Sequence, residues 1–446
     1  MKMGFEEDVK KLEEEIVNPT KIVGHYTKAL KENETLYSKH PDNPILICNY
    51  ASALMGVGQV QKSHDLFKSI LGKQSFAPSN YMMACDYLGI PNQDRSPIKQ
   101  YFPKILKRKI TKHKHDKIRL LYLTSDVSIK GNGRLLYEVI RNHDRKQFHI
   151  TLFYNNDIID PLTYRIGTNC DAVFQINKAT EHEVFDKIAE EEADVLIDTM
   201  GHTSGGANLI IFAQHPAPLV ITMLGYPNST MLDCFDYRVG SEICTGFAEK
   251  ILMNKFGYSP LSFMEGQVRK TEGTHVLGCV AAPAKITQED LRLHAEFMKA
   301  HPCYTLEYAR SMGQFTEEKI AEIMAAHEQY GNKAVNVVNY YDEMYDDILL
   351  RYDALLDTAT WNNHIIAMDA LSYGIPTIRL KPIEQCKTCA SLLSDDLYGS
   401  LNIYLSEKLN ELWKPLYNVA QSWSNTQWVR EYERQLKWAL VEKGWK

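Results

Sequence analysis

From Ile118 onward, short apolar runs alternate with helical stretches, and this alternation restricts the fold more than any other feature of the chain. The first runs are IRLLYLTSD, FHITLFYN, ADVLIDT, APLVITML and FDYRVG, with helical spacing between them at 133–142 and 181–192. Apolar runs that end in polar residues are how doubly buried parallel strands finish at their carboxyl edge. Strands separated by helices predict a doubly wound parallel sheet with right-handed crossovers. A second series begins near His275 with HVLGCVA, CYTLEYA, AVNVV, YDALLDT and IPTIRL. Helices at about 287–300, 315–329, 342–351 and 364–373 separate these runs. Residues 241–272 read as the crossover between two α/β halves, and 405–444 as a helical return.

Residues 1–100 carry helical apolar spacing only. Within them, NPILICNYASALMGVGQVQKSHDLFKSIL places small and aromatic residues (Tyr50, Ala53, Gly56, Ser63, Phe67) as a tetratricopeptide-like helix–turn–helix does. One clear copy cannot bury its own faces, so the segment is expected to pack on the next domain. The expected organisation is a helical domain at 1–100, a linker at 101–117 and a first Rossmann-like half at 118–270. A second Rossmann-like half follows at 271–404, then a helical return at 405–446. Two such halves facing a cleft, preceded by an all-α domain, correspond to an α/β protein of the GT-B plan. Ligands in such sheets sit beyond the carboxyl ends of the strands and between domains.

Composition removes several alternatives. A net charge of −6 does not suit a general nucleic-acid binder. The basic stretch 107–117, KRKITKHKHDK, lacks interleaved aromatics and reads as a solvated linker. No apolar run approaches the roughly 20 residues of a membrane span. The opening MKMGFEEDVKKLEEE is charged and has no apolar signal region. Nine cysteines without framework spacing are expected to be reduced thiols in a cytoplasmic protein. Cys386 and Cys389 form a lone Cys-x-x-Cys with no second pair or nearby histidines to complete a zinc site.

Five segments fall at strand ends and are expected to converge: TSDVSIKGNGR (Asp126, Lys130, Asn132), DTMGHTSGG (Asp198, His202), LGYPNST (Gly225, Tyr226, Pro227), VAAPAKITQEDL (Lys285) and WNNHIIAMDALSYGIP (Asn363, His364, Asp369). A nucleotide-sugar site needs a cation or helix N-terminus for diphosphate and a carboxylate for ribose. Lys285 can supply the cation, and the helix start at Asn363 and His364 the donors. Asp369 lies too deep in its helix to cap it, so it binds ribose or closes a core hydrogen bond. The chain has no Asp-x-Asp at a strand end, which favours a site without metal.

DTMGHTSGGANLIIFAQHPAPLVITMLGYPNST resembles the Gly-His-Thr to Leu-Gly-Tyr-Pro block of O-GlcNAc transferases and their plant and bacterial relatives. LLYLTSDVSIKGNGRLL is similar to that family's Ser-Asp strand end. LLDTATWNNHIIAMDALSYGIPTIRL resembles its Leu-Asp-Thr … Asn-Gly-His-Thr-Thr-x-x-Asp block. The resemblance implies an inverting, metal-independent protein O-glycosyltransferase without cofactor, whose donor is a UDP-sugar such as UDP-GlcNAc. By position, Lys285 is the diphosphate lysine, His364 the uridine and phosphate histidine, and Asp369 the ribose aspartate. Asp126 belongs to the proton-acceptor machinery, with Lys130 and His202 shaping that side. Gly225, Tyr226 and Pro227 flank the donor sugar and acceptor. The implied partners are a nucleotide sugar and an acceptor protein, the latter held with help from the N-terminal helices; homo- and hetero-oligomers both remain open. The departures are Lys130 for a histidine, Ile365 and Ile366 for two threonines, Ala207 and Asn208 where an arginine stands, and a shortened lysine loop. These leave open a changed donor, an Asn-glycosyltransferase or heptosyltransferase relative, or a non-catalytic adaptor.

Overall fold

The computed structural model describes residues 25–102, 115–129, 131–157, 159–241, 246–257, 259–263, 273–311, 313–340, 345–380, 418 and 425–445. These divide into two compact units, and each draws on separated parts of the chain. Lys130, Cys386 and Cys389, most of the basic stretch and the first part of the expected helical return lie outside the described residues.

One unit holds the described residues of 91–262 together with 425–445. Its strands are β1 (Ile118–Thr124), β2 (Phe148–Tyr154), β3 (Ala172–Gln175), β4 (Val195–Asp198), β5 (Leu219–Thr222), β6 (Tyr237–Gly240) and β7 (Lys250–Met253). They form a parallel sheet in the order β3-β2-β1-β4-β5-β6-β7, with Leu120 opposite both Ile150 and Val195. Leu120 to Leu123 are buried because helices cover both faces of the central strands. The order reverses between β1 and β4, which opens a crevice at their carboxyl ends. Residues 250–253, expected to lie in the crossover, instead add the edge strand β7. Only one of its four side chains, Leu252, is buried, so its apolar run is short. Asn92–Arg95 and the 3₁₀ turn Ser96–Tyr101 also pack here, where the Asn92 amide donates to Asn228 Oδ1 at 3.1 Å.

The other unit joins the described residues of 25–90 to those of 263–380, so the helical segment packs with the second half, not with the domain that follows it in sequence as expected, and it ends at Ile90. Helices α1 (His25–Lys39), α2 (Pro44–Gly56), α3 (Val60–Ser69) and α4 (Ala77–Tyr87) pair in sequence. Asn43 caps α2 by accepting from the backbone of Ile45 and Leu46. The sheet contains β8 (Val276–Cys279), β9 (Thr305–Ser311), β10 (Val335–Tyr340), β11 (Ala354–Leu356) and β12 (Thr377–Ile378). It is parallel, in the order β10-β9-β8-β11-β12, so its order reverses between β8 and β11.

The covering helices occur close to the expected places. In the first unit they are α5 (Asn132–Arg141), α6 (Pro161–Gly167), α7 (Glu181–Glu190) and α8 (Leu209–Ala213). The second has α9 (Gln288–Ala300), α10 (Glu317–Glu328), α11 (Tyr345–Leu350) and α12 (Ile365–Ser372), and α13 (Thr426–Glu442) returns to the first sheet. Trp428 of α13 is buried and its indole donates to the Gly257 carbonyl at 3.1 Å. Glu433 accepts from His143 Nδ1 at 3.0 Å and from the Asp144 amide at 2.8 Å. Among the described residues no helix is long and apolar enough to cross a membrane.

Candidate active site

The two loops at the reversal point of the second sheet carry Lys285 and His364. After β8 the chain makes a 3₁₀ turn at Pro283–Lys285, closed by the Lys285 amide donating to the Ala282 carbonyl at 2.8 Å. The next residues start α9 through a capping box in which Thr287 and Asp290 satisfy each other's backbone. The buried Lys319 ammonium of α10 donates to the Ile286 carbonyl at 2.8 Å, pinning the exit of the turn. Lys285 Nζ then lies 3.4 Å from the Asn362 carbonyl in the loop after β11. A cation therefore stands beside the N-terminus of α12, where backbone N–H groups are unpaired and anions are favoured.

Asp357 at the end of β11 shapes that second loop. Its carboxylate accepts from the amides of Thr358 (2.9 Å) and Asn363 (2.7 Å) and from Asn362 Nδ2 (3.0 Å). Burial pushes its pKa up to about 6, against these hydrogen bonds and the Lys285 charge. His364 is the N-cap residue of α12 but makes no side-chain cap bond. Burial, with the Lys285 charge second, pushes the imidazole down to about 4, so it is neutral near pH 7. The Asn363 side chain is only 1% exposed, and neither amide atom has a hydrogen-bond partner among the described residues. Leaving such groups unmet costs about 1–3 kcal/mol each. Asp369, also 1% exposed, accepts from the Tyr345 hydroxyl at 3.1 Å. The helix ends at Gly374 (φ +80), with Ile375 N bonded to Ala370 O at 2.8 Å, so the Gly-Ile-Pro signal is a helix stop.

A line of buried polar side chains supports this loop from below. His294 Nε2 meets the Asp357 carbonyl at 3.2 Å, and a carbonyl only accepts, so Nε2 carries the proton. Neutral His294 then accepts at Nδ1 from the Tyr308 hydroxyl at 2.9 Å, and Tyr308 accepts from His327 Nε2 at 3.0 Å. Asn332 Nδ2 lies 3.4 Å from His327 Nδ1 and completes the line. Burial lowers the pKa of both histidines. One turn before His294, Asp290 accepts from the Ala359 amide. Helix α9, which starts just after Lys285, thus grips the His364 loop at two points.

The reversal point of the first sheet gathers Asp126, Asn132, Thr199 and Gly225. Asp126 accepts from Ser128 (N at 3.2 Å, Oγ at 3.0 Å) and from the Asn132 amide at 3.0 Å, which fastens the start of α5. Burial raises its pKa in spite of these bonds. Gly133 of GNGR is sterically required here, since a Cβ on it would stand 2.2 Å from the Ser128 carbonyl. Asn132 Nδ2 donates to the Thr199 carbonyl at 2.8 Å. Asn132 Oδ1 and the buried Thr199 Oγ1 have no hydrogen-bond partner among the described residues. Asp198 is a loop organiser, accepting from the amides of Met200 and Gly201 and the hydroxyl of Thr222.

Some expected ligand residues face inward instead. His202 is fully buried, and its Nε2 donates to the Thr230 carbonyl at 2.8 Å. Tyr226 is buried edge-on against it at 5.0 Å, and its carbonyl accepts from buried Arg238. Pro227 is buried too, which leaves Gly225 as the partly exposed member of that trio. Asn208, where the resemblance expects arginine, donates to Ser125 Oγ at 3.1 Å and ties the ends of β1 and β2 together with Asn155. Asp357 and the His294–Tyr308–His327 line escaped the sequence reading. Their partners are backbone groups or distant in sequence, so only the Leu-Asp-Thr strand end offered a signal. Among the described residues no cluster of three or more His, Cys, Asp or Glu could hold a metal ion.

Comparisons with known proteins follow the same lines. The family described as Glycosyl transferase family 41 matches residues 99–342. The SEC protein of Arabidopsis thaliana, named a probable UDP-N-acetylglucosamine–peptide N-acetylglucosaminyltransferase, is 21% identical over 308 residues, 61% of this chain and 30% of its own. The SPINDLY protein of Oryza sativa subsp. japonica, named likewise, is 39% identical over 125 residues, 26% of this chain and 13% of its own. The chain thus spans less than a third of the length of these relatives. A solved structure of a mutant O-GlcNAc transferase from Thermobaculum terrenum superposes with a TM-score of 0.81 at 19% identity, covering 94% of this chain and 88% of that one. The shared fold is the GT-B type, with two wound parallel sheets and an N-terminal helical region.

Proposed function

Because the chain belongs to glycosyl transferase family 41, we propose that it moves a sugar, N-acetylglucosamine or a close analogue, from a UDP-sugar to a serine or threonine hydroxyl of an acceptor protein. The observation that carries this reading is Lys285 standing 3.4 Å from the Asn362 carbonyl at the reversal point of the second sheet, beside the N-terminus of α12. The acceptor oxygen bonds to the anomeric carbon as the bond from that carbon to the diphosphate oxygen breaks, with inversion. The hydroxyl proton passes to a base and UDP leaves. Charge growing on the diphosphate is met by the Lys285 ammonium and the first N–H groups of α12.

Neutral His364 offers the nucleotide a hydrogen bond without a second buried charge, and Asp369 accepts hydrogen bonds from the ribose hydroxyls. The unmet amide of Asn363 supplies one donor and one acceptor to the same ligand. In the first sheet Asp126 is the proposed proton acceptor, since a carboxylate raised by burial is the stronger base. Asn132 and Gly225 contribute polar backbone and amide groups on that side. The relatives' names as peptide N-acetylglucosaminyltransferases support a protein acceptor.

Lys285→Ala should leave the fold intact and lower transfer at least ~100-fold, because removing one electrostatic stabiliser costs about 3 kcal/mol in the transition state. Near-normal turnover with UDP-GlcNAc would reject the assignment. Transfer should also survive EDTA, since lysine and backbone donors neutralise the diphosphate; activity lost to the chelator and restored by manganese would reject metal independence. Ile365 and Ile366 in the first turn of α12 favour one other reading, an adaptor with a spent donor site. An adaptor should not bind UDP in a calorimetric titration, whereas the transferase should.

A further inference from the structure

Both loops of the second reversal point are backed by the N-terminal helices. The turn between α2 and α3 meets the Lys285 turn. A Cβ on Gly58 would stand 2.9 Å from the Pro283 carbonyl oxygen and 3.1 Å from Pro283 Cβ, and Gly58 has φ +89. Only glycine holds that backbone at that distance without strain. Ala284, between Pro283 and Lys285, is buried in one apolar cluster with Ile47, Ala51, Val60 and Phe67 of the helices. Beside it, Gln59 Nε2 donates to Glu318 Oε2 at 2.9 Å in the first turn of α10.

The end of α4 meets the other loop. The Tyr87 ring lies 5.0 Å from the ring of Trp361, which precedes Asn362 and Asn363. A Cβ on Gly89 would stand 3.3 Å from Thr360 Cγ2. Trp361 is 9% exposed, and its carbonyl accepts from Thr358 Oγ1 at 2.7 Å, so the ring contact is fixed to the backbone that leads into His364. The helical segment thus touches the lysine loop through one turn and the histidine loop through another. Relative motion of the two loops would have to break one of these contacts.

We infer that the N-terminal helices are a positioning element of the donor site, with Gly58 and Tyr87 as the positioning residues that hold Lys285 and His364 in register. This rests on the donor reading of that site. Neither residue is placed against the ligand; each acts through the loop it touches. The segment therefore does more than recruit an acceptor, because it sets the geometry in which the nucleotide is held.

The test uses the full chain and UDP as the probe, measured by calorimetry beside circular dichroism and melting curves. Gly58→Ala should weaken UDP binding at least tenfold while the chain remains folded. Tyr87→Ala should weaken it about fivefold, and Tyr87→Phe, which keeps the ring, should restore it. In a Lys285→Ala background, Gly58→Ala should weaken binding much less than it does alone, the non-additivity expected when one residue acts through the other. If wild type binds UDP and folded Gly58→Ala and Tyr87→Ala bind as tightly, the inference fails and the donor reading stands. If Gly58→Ala does not fold, the Tyr87 pair decides alone. A wild-type chain that does not bind UDP overturns both.

Discussion

At His327 the neighbours dictate the protonation state. Asn332 donates toward Nδ1 and Tyr308 accepts from Nε2, so the ring is neutral, and burial pushes its pKa down to about 4 from 6.5. Between those values the unfolded chain binds a proton that the folded chain refuses. Stability from this group is therefore complete above pH 6.5 and falls as pH drops toward 4, by roughly 2 kcal/mol between pH 7 and 5. His364 acts with the same sign. Asp357 opposes them, because a carboxyl raised to about 6 takes its proton first in the folded state and is relieved as pH falls below that value. His327→Gln should narrow the drop in melting temperature between pH 7 and 5; an unchanged drop would remove His327 from this role. Lys285, His364 and Asp369 stand out in the sequence because each is a polar residue in an apolar or loop context at a strand end. Asp357 does not, because its partners are mostly amides of its own loop, whose geometry appears only on folding.

At the scale of elements, strands were legible where they are central. β1 and β2 read as apolar runs because both faces are covered, whereas β3 is four residues long with alternating exposure and β7 buries only Leu252, so neither carried a strand-length apolar run. Helices α5, α7, α9 and α10 were legible as helical stretches between the strand runs; the capping boxes that start α7 and α9 appear in the structure. The docking of α13 was not, since its partners Gly257, Leu261 and His143 are far away in sequence. That docking gives an element-scale prediction. Trp428 is fully buried, and Trp428→Ala should cost about 3–5 kcal/mol in urea unfolding. A loss below 1 kcal/mol would mean that α13 only rests on the sheet.

At the scale of the molecule, the two wound sheets and the helical segment before them follow from periodicity, but which sheet the helices join does not. That partnership depends on Gly58, Ala284, Tyr87 and Trp361, residues with no local pattern linking them. It changes what a truncation should do. Removing residues 1–90 should lower UDP affinity as well as protein glycosylation, because the donor loops lose their backing. Donor hydrolysis left at its full rate in a folded, monodisperse truncation would restrict the helices to the acceptor.

The interleaving of chain between the units also bears on how the protein is made. Residues 25–90 emerge from the ribosome without the loops they back, which belong to a sheet whose first strand begins at Val276, roughly 180 residues later. At ordinary elongation rates that is a wait on the order of 10–40 s. The intervening residues 91–262 form their own sheet but lack α13, which is made later still. Neither unit can close in the order of synthesis. The nascent chain must therefore carry two unfinished apolar faces together, the state on which holding chaperones act.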